Sequence, residues 1–96
     1  MDKIVVKEKL ISQLPVLRER FHVKTLGFFG SFARGEETGQ SDLDILVEFD
    51  KPVGFFEFIR LEKFLSDILN YRVDLVAKDA IKPAIKEQIL KETIYV

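Results

Sequence analysis

Gly30-Ser31-Phe32-Ala33-Arg34-Gly35-Glu36-Glu37-Thr38-Gly39-Gln40-Ser41-Asp42-Leu43-Asp44 is the stretch around which the rest of the chain is organised. A Gly-Ser pair leaves an apolar run, a one-turn segment closes at Gly35, a polar loop follows, and Asp42 and Asp44 lead into a second apolar run. That second run, Leu43 to Phe49, is rich in β-branched and aromatic residues and reads as a strand. Side chains alternate across a strand, so Asp42 and Asp44 point to one face and Leu43, Ile45, Val47 and Phe49 to the other.

Two residues along a strand span about 6.5 Å, close enough for two carboxylates to share or bridge metal ions. Without a cation between them each would raise the other's pKa. A divalent cation removes that conflict. The first run, Val23 to Phe29, also reads as a strand, and Gly30 breaks it where the backbone must turn sharply or approach something closely. If Ser31 to Arg34 forms a helical turn, its free N–H groups and the Ser31 hydroxyl favour an anion beyond the strand end. Phosphate donors beside a metal-binding acid pair are what phosphoryl or nucleotidyl transfer needs.

Outward from this stretch, Lys3 to Phe21 places Ile4, Leu10, Ile11, Leu14, Leu17 and Phe21 on a helical stripe that covers one face of the sheet. Pro15 predicts either a kink or two shorter helices there. His22 falls at the helix end, in a capping position rather than a catalytic one. Glu36 and Glu37 read as a solvated loop. Arg34 either holds a phosphate or ties down the loop by pairing with an acid. Asp50 to Gly54 is a breaker, and Phe55 to Asn70 shows an apolar helical face of Phe55, Phe58, Ile59, Leu61, Phe64, Leu65, Ile68 and Leu69, with Phe56 off it and exposed.

Arg72 to Ala77 is a third strand in which Asp74 stands alone among Val73, Leu75 and Val76. An unpartnered acid is costly to bury, so Asp74 either faces water at an edge or joins Asp42 and Asp44 as a third metal ligand. The acid pair already in hand favours the second. Asp79 is placed to cap a last helix, Ala80 to Glu92, with Pro83 in its first turn and Ile81, Ala84, Ile85, Gln88 and Ile89 at near-helical spacing. Thr93 to Val96 is β-prone and pairs on an edge or with another copy. The expectation is one α+β (α/β) domain over residues 1–96, with a mixed sheet flanked by helices.

The 96 residues are 47% hydrophobic and 32% charged, and the net charge of −1 gives no basic field for long nucleic acid. Cysteine is absent, which excludes disulfides, thiolate metal sites and a thiol nucleophile. No apolar run has the length of a membrane span and the N-terminus lacks a signal pattern, so a cytoplasmic location is the default expectation.

Gly30-Ser31, Ala33-Arg34-Gly35 and Ser41-Asp42-Leu43-Asp44 together resemble the signature of the DNA polymerase β-type nucleotidyltransferase superfamily, in its minimal nucleotidyltransferase branch. The likeness extends through Lys51-Pro52-Val53-Gly54 and Arg72-Val73-Asp74-Leu75-Val76. The resemblance implies Asp42, Asp44 and Asp74 as catalytic metal ligands for two Mg²⁺ ions. It implies Gly30, Ser31, Arg34 and Ser41 as the residues that hold the nucleotide, with ATP as substrate. Larger members carry extra domains for the acceptor, so here the acceptor is expected to be another molecule. Minimal members resemble antitoxins paired with a HEPN-type ribonuclease toxin, which they adenylylate on a tyrosine, and homo- or hetero-oligomeric assembly stays open.

Two other readings compete. A binding module would neutralise its partner by contact and nucleotide capture without turnover; the third acid, Asp74, argues against it. A haloacid dehalogenase-type phosphatase would use Asp-Leu-Asp as its nucleophile motif. In that family the motif ends its strand and a Thr comes after it, whereas here the acids open the strand.

Overall fold

Strands β1 (Val23–Phe29) and β2 (Leu43–Phe49) lie antiparallel, with Phe29 opposite Asp44 and Gly27 opposite Leu46. The computed structural model describes residues 2–96. Strand β3 (Val73–Ala77) runs parallel to β2. A parallel pair needs a crossover, and helix α3 (Phe55–Leu69) supplies it. A short last strand, β4 (Ile94–Tyr95), adds to the free edge of β1, so the mixed sheet has the order β3-β2-β1-β4. The C-terminal tail therefore pairs within its own sheet.

Leu26 and Phe28 of β1, Leu43, Ile45 and Val47 of β2 and Leu75 of β3 form the buried face. Helix α1 (Lys3–Phe21) covers it with Val6, Leu10 and Leu17, and α3 with Leu61, Leu65 and Leu69. The other face has a smaller apolar patch of Phe29, Leu46 and Ile81, against which Ile89 and Leu90 of helix α4 (Pro83–Glu92) pack. Asp44 and Asp74 belong to this second, thinly covered face. No helix among the described residues is long and apolar enough to cross a membrane.

Several local expectations are corrected. Helix α1 is a single element, which leaves out the split into two helices that Pro15 allowed beside a kink; Pro15 and Ile11, the residue whose carbonyl it leaves without a donor, are both exposed, where water can reach that carbonyl. Ile4 and Ile11 fall off the buried stripe of α1 and Val6 takes a place in it. Phe55 and Ile59 of α3 likewise stay exposed, beside the expected Phe56. Asp79 caps nothing: Lys78–Ala80 is a 3₁₀ turn, and α4 begins only at Pro83. The proline keeps Lys82 extended, at φ −62° and ψ 135°, which delays the helix. In α4 the exposed side carries Ala84, Ile85 and Gln88. His22 is the expected cap of α1, in the left-handed region at φ 58° with its N–H given to the Leu17 carbonyl.

Candidate active site

The end of β1 turns at once into a five-residue helix, α2 (Gly30–Arg34), because Gly30 adopts a positive φ of 73° that other residues resist. A Cβ at Gly30 would also run into Asp44 Oδ2. Glycine is required twice over, for the backbone conformation and for the space that the carboxylate occupies. Gly35, again at φ 73°, ends the helix, and its successor's N–H bonds back to the Ser31 carbonyl at 2.8 Å.

Asp44 sits beside Asp74 in the parallel register of β2 and β3, with neighbouring strands roughly 5 Å apart. Register partners point to the same face, so the two carboxylates share one. Asp44 is half-buried and Asp74, on the edge strand, is exposed. Burial, and then the negative charges of Asp74 and Asp42, push the Asp44 carboxyl up from 3.8 to about 6, against the pull of Arg34.

Asp42 lies just before β2 and is exposed. Its Oδ1 accepts from Arg72 Nε at 2.8 Å. Arg72 Nη2 also reaches the carbonyls of Gly39 and Ser41, and the Tyr71 hydroxyl donates to the Ser41 carbonyl at 2.8 Å. These two residues thereby fix the loop that delivers Asp42. The Ser41 hydroxyl is engaged inside that loop, accepting from the Thr38 N–H at 3.0 Å. Among the described residues no three His, Cys, Asp or Glu side chains are gathered closely enough to hold a metal ion. The donors that do stand at this strand end are carboxylate oxygens, the type that Mg²⁺ prefers, and Asp44 Oδ2 lies in the space that the missing Cβ of Gly30 leaves.

Arg34 is clamped. Its Nε donates to Glu36 Oε1 at 2.9 Å, and its Nη1 lies 3.2 Å from Glu92 Oε2. Glu92 Oε1 also accepts the Gly30 N–H at 3.1 Å. Of the two roles open to Arg34, tying down the loop is the one seen, and both carboxylates raise its pKa further. Glu36 is therefore an ion-pair partner and not a merely solvated loop residue.

Sequence reasoning missed Glu92, Tyr71 and Arg72. Glu92 stands 62 positions from Gly30, and no local pattern links them. Arg72 had a signal in the residue pattern before Asp74, and only the fold shows its partner.

Carboxylates aligned on adjacent strands, set against a glycine turn at the same sheet end, define a small domain built for phosphate-transfer chemistry. The chain belongs to the nucleotidyltransferase domain family, whose model matches residues 10–96. It is similar to protein adenylyltransferase MntA of Thermococcus cleftensis, 48% identical over 80 residues, spanning 83% of this chain and 81% of that protein. A solved structure provisionally described as a minimal nucleotidyltransferase superposes with a TM-score of 0.84 at 34% identity, covering 98% of this chain and 95% of the other. A chain from a solved complex of tri-AMPylated Shewanella oneidensis HEPN toxin with MNT antitoxin shares the fold, with a TM-score of 0.69 at 20% identity, over 95% of this chain and 68% of that one.

Proposed function

We propose that this nucleotidyltransferase transfers AMP from ATP to a protein, a tyrosine of a cognate HEPN-type ribonuclease toxin, and thereby acts as its antitoxin. The observation that carries the reading is the in-register pair Asp44 and Asp74 on one sheet face, against the glycine turn that a Cβ would block. The adenylyltransferase name of the Thermococcus cleftensis relative supports AMP as the group and protein as the acceptor. The shared fold with a chain of the AMPylated toxin complex supports the partner.

Asp42, Asp44 and Asp74, which do not converge as one three-ligand cluster by themselves, would hold two Mg²⁺ ions together with the phosphates of the nucleotide, and the ions would supply charge neutralisation for the triphosphate and the leaving pyrophosphate. Asp42, whose Oδ1 is given to Arg72, would offer its other carboxylate oxygen. Ser31, Gly30 and Arg34 orient the β- and γ-phosphates, and Ser41 acts by shaping the loop before Asp42. The tyrosine oxygen forms a bond to the α-phosphorus as the bond to pyrophosphate breaks. Asp74, more exposed than Asp44, would take the tyrosine proton on its carboxylate.

The test incubates the protein with Mg²⁺, ATP labelled on the α-phosphate and the toxin encoded beside it, with Asp44→Asn as control. Label on a toxin tyrosine that vanishes by at least about a thousandfold in the folded variant supports the proposal. Toxin neutralised without label, by wild type and variant alike, overturns transfer in favour of neutralisation by binding.

A further inference from the structure

Glu92 closes α4 next to the catalytic turn, and its carboxylate does two things at once. It accepts the Gly30 N–H at 3.1 Å, and it meets Arg34 Nη1 at 3.2 and 3.3 Å. The Glu92 side chain is 21% exposed, whereas Glu36, the other partner of Arg34, is 62% exposed, so the bond to Glu92 is the less screened of the two. Arg34 itself is nearly half exposed and would otherwise sample many rotamers. With Nε and Nη1 engaged, Nη2 is its donor without a bond among the described residues.

The position of Glu92 is itself secured by the last four residues of the chain. Thr93 bonds back to the Ile89 carbonyl through its N–H and its hydroxyl, ending the helix. Strand β4 then pairs with Gly27 and Phe28, and the Val96 N–H reaches the Leu26 carbonyl at 2.9 Å. The approach is so close that a Cβ at Gly27 would lie 2.6 Å from Thr93 Cγ2 and 2.8 Å from the Ile94 carbonyl oxygen. The carboxylate is thus delivered by a pinned segment, which lowers the ordering cost that fixing Arg34 would carry.

We propose that Glu92 is a positioning residue of the nucleotide site: it holds the Arg34 guanidinium and the Gly30 peptide in the orientation in which the turn meets the phosphates. The inference rests on the reading that this turn binds the nucleoside triphosphate. Its chemistry separates by substitution. Gln keeps an oxygen for the Gly30 N–H and gives up the charge facing Arg34, while Ala gives up both.

The experiment measures binding of ATP with Mg²⁺ by calorimetry, in the absence of acceptor, to wild type, E92Q, E92A, R34Q and R34Q/E92Q, alongside thermal unfolding of each. The expected result is a loss of affinity of about fivefold in E92Q and about tenfold or more in E92A, the size of a weakened charged hydrogen bond. E92Q unfolds near the wild-type temperature, and adding it to R34Q weakens binding no further, since it acts through Arg34. Wild-type affinity or tighter binding in E92Q overturns the proposal, as does full additivity with R34Q. A wild type that binds no ATP overturns it together with the reading beneath it. A wild type that binds ATP and labels no acceptor overturns the transfer reading alone, and the affinity series still decides the role of Glu92.

Discussion

The two faces of strand β2 are opposites made from one backbone. Ile45 and its neighbours on the same face, Leu43 and Val47, are fully buried under α1 and α3. Asp44, one position away, faces the other side, half-buried beside Asp74 and pushed toward its neutral form by burial and like charge. Burying each aliphatic side chain on the first face contributes about 1.5 to 3 kcal/mol. The second face gives some of that back by crowding carboxylates. The core is held on one side of the strand and the proposed site lies on the other, and the alternation of side chains is what lets them be adjacent.

Substituting Gly30 is expected to break the acid-bearing face most severely. Gly30→Ala forces a Cβ into the place of Asp44 Oδ2 at a positive φ, so transfer is expected to fall by at least about a hundredfold, with a stability loss of more than about 1 kcal/mol. Labelled-ATP transfer and denaturant unfolding measure both. Near wild-type activity would show that the turn tolerates displacement of the carboxylate and that the two faces are not so strictly divided.

The covered face is tested by Ile45→Ala, where the loss is of stability first. The expected cost is about 2 to 5 kcal/mol in urea unfolding, since the site is sealed and a cavity remains. Transfer measured well below the new melting temperature should change far less than in Gly30→Ala. Equal losses of activity in the two variants would mean that the faces are mechanically coupled.

The smallest effect sharpens the comparison by pH. With Asp44 raised to about 6 in the folded protein, the native state holds that proton more tightly than the unfolded chain, whose carboxyl titrates near 3.8. Its contribution is present in full below about pH 4 and is lost as pH rises through about 6, where the carboxylate charges beside Asp74 and Asp42. Melting of metal-depleted protein between pH 4 and 8 should therefore show a decline across the lower half of that range. Asp44→Asn should flatten it and raise the melting temperature at neutral pH. Parallel profiles for the two proteins would remove the like-charge conflict from the account.

Much of this division was legible in the residues. The alternation from Asp42 to Phe49 placed Leu43, Ile45 and Val47 on a covered face and the acids opposite, and Gly30 marked the turn, because these depend on period and on local backbone freedom. For Asp74 the residues left two readings, a water-facing edge or a third ligand beside the acid pair; it is exposed on the edge strand and in register with Asp44. The helix stripes were less legible: Ile4, Ile11, Phe55 and Ile59 remain exposed, because at about 3.6 residues per turn they lie to the side of the faces set by Val6, Leu10 and Leu17 in α1 and by Leu61, Leu65 and Leu69 in α3. Asp79 looked like a cap, and the restriction that Pro83 imposes on Lys82 outweighed it.

What the sequence by itself determined is the part governed by neighbours along the chain: strand faces, the glycine turn, the order of elements, and the acids that lead into β2 and sit within β3. Tertiary structure alone decided the long-range partners. It brought Glu92 to Gly30 and Arg34, gave Asp42 to Arg72, and folded the tail back onto β1 in its own sheet. These contacts join residues 30 to about 70 positions apart, and their geometry is set by how the sheet closes and where α4 lands, which no local propensity encodes.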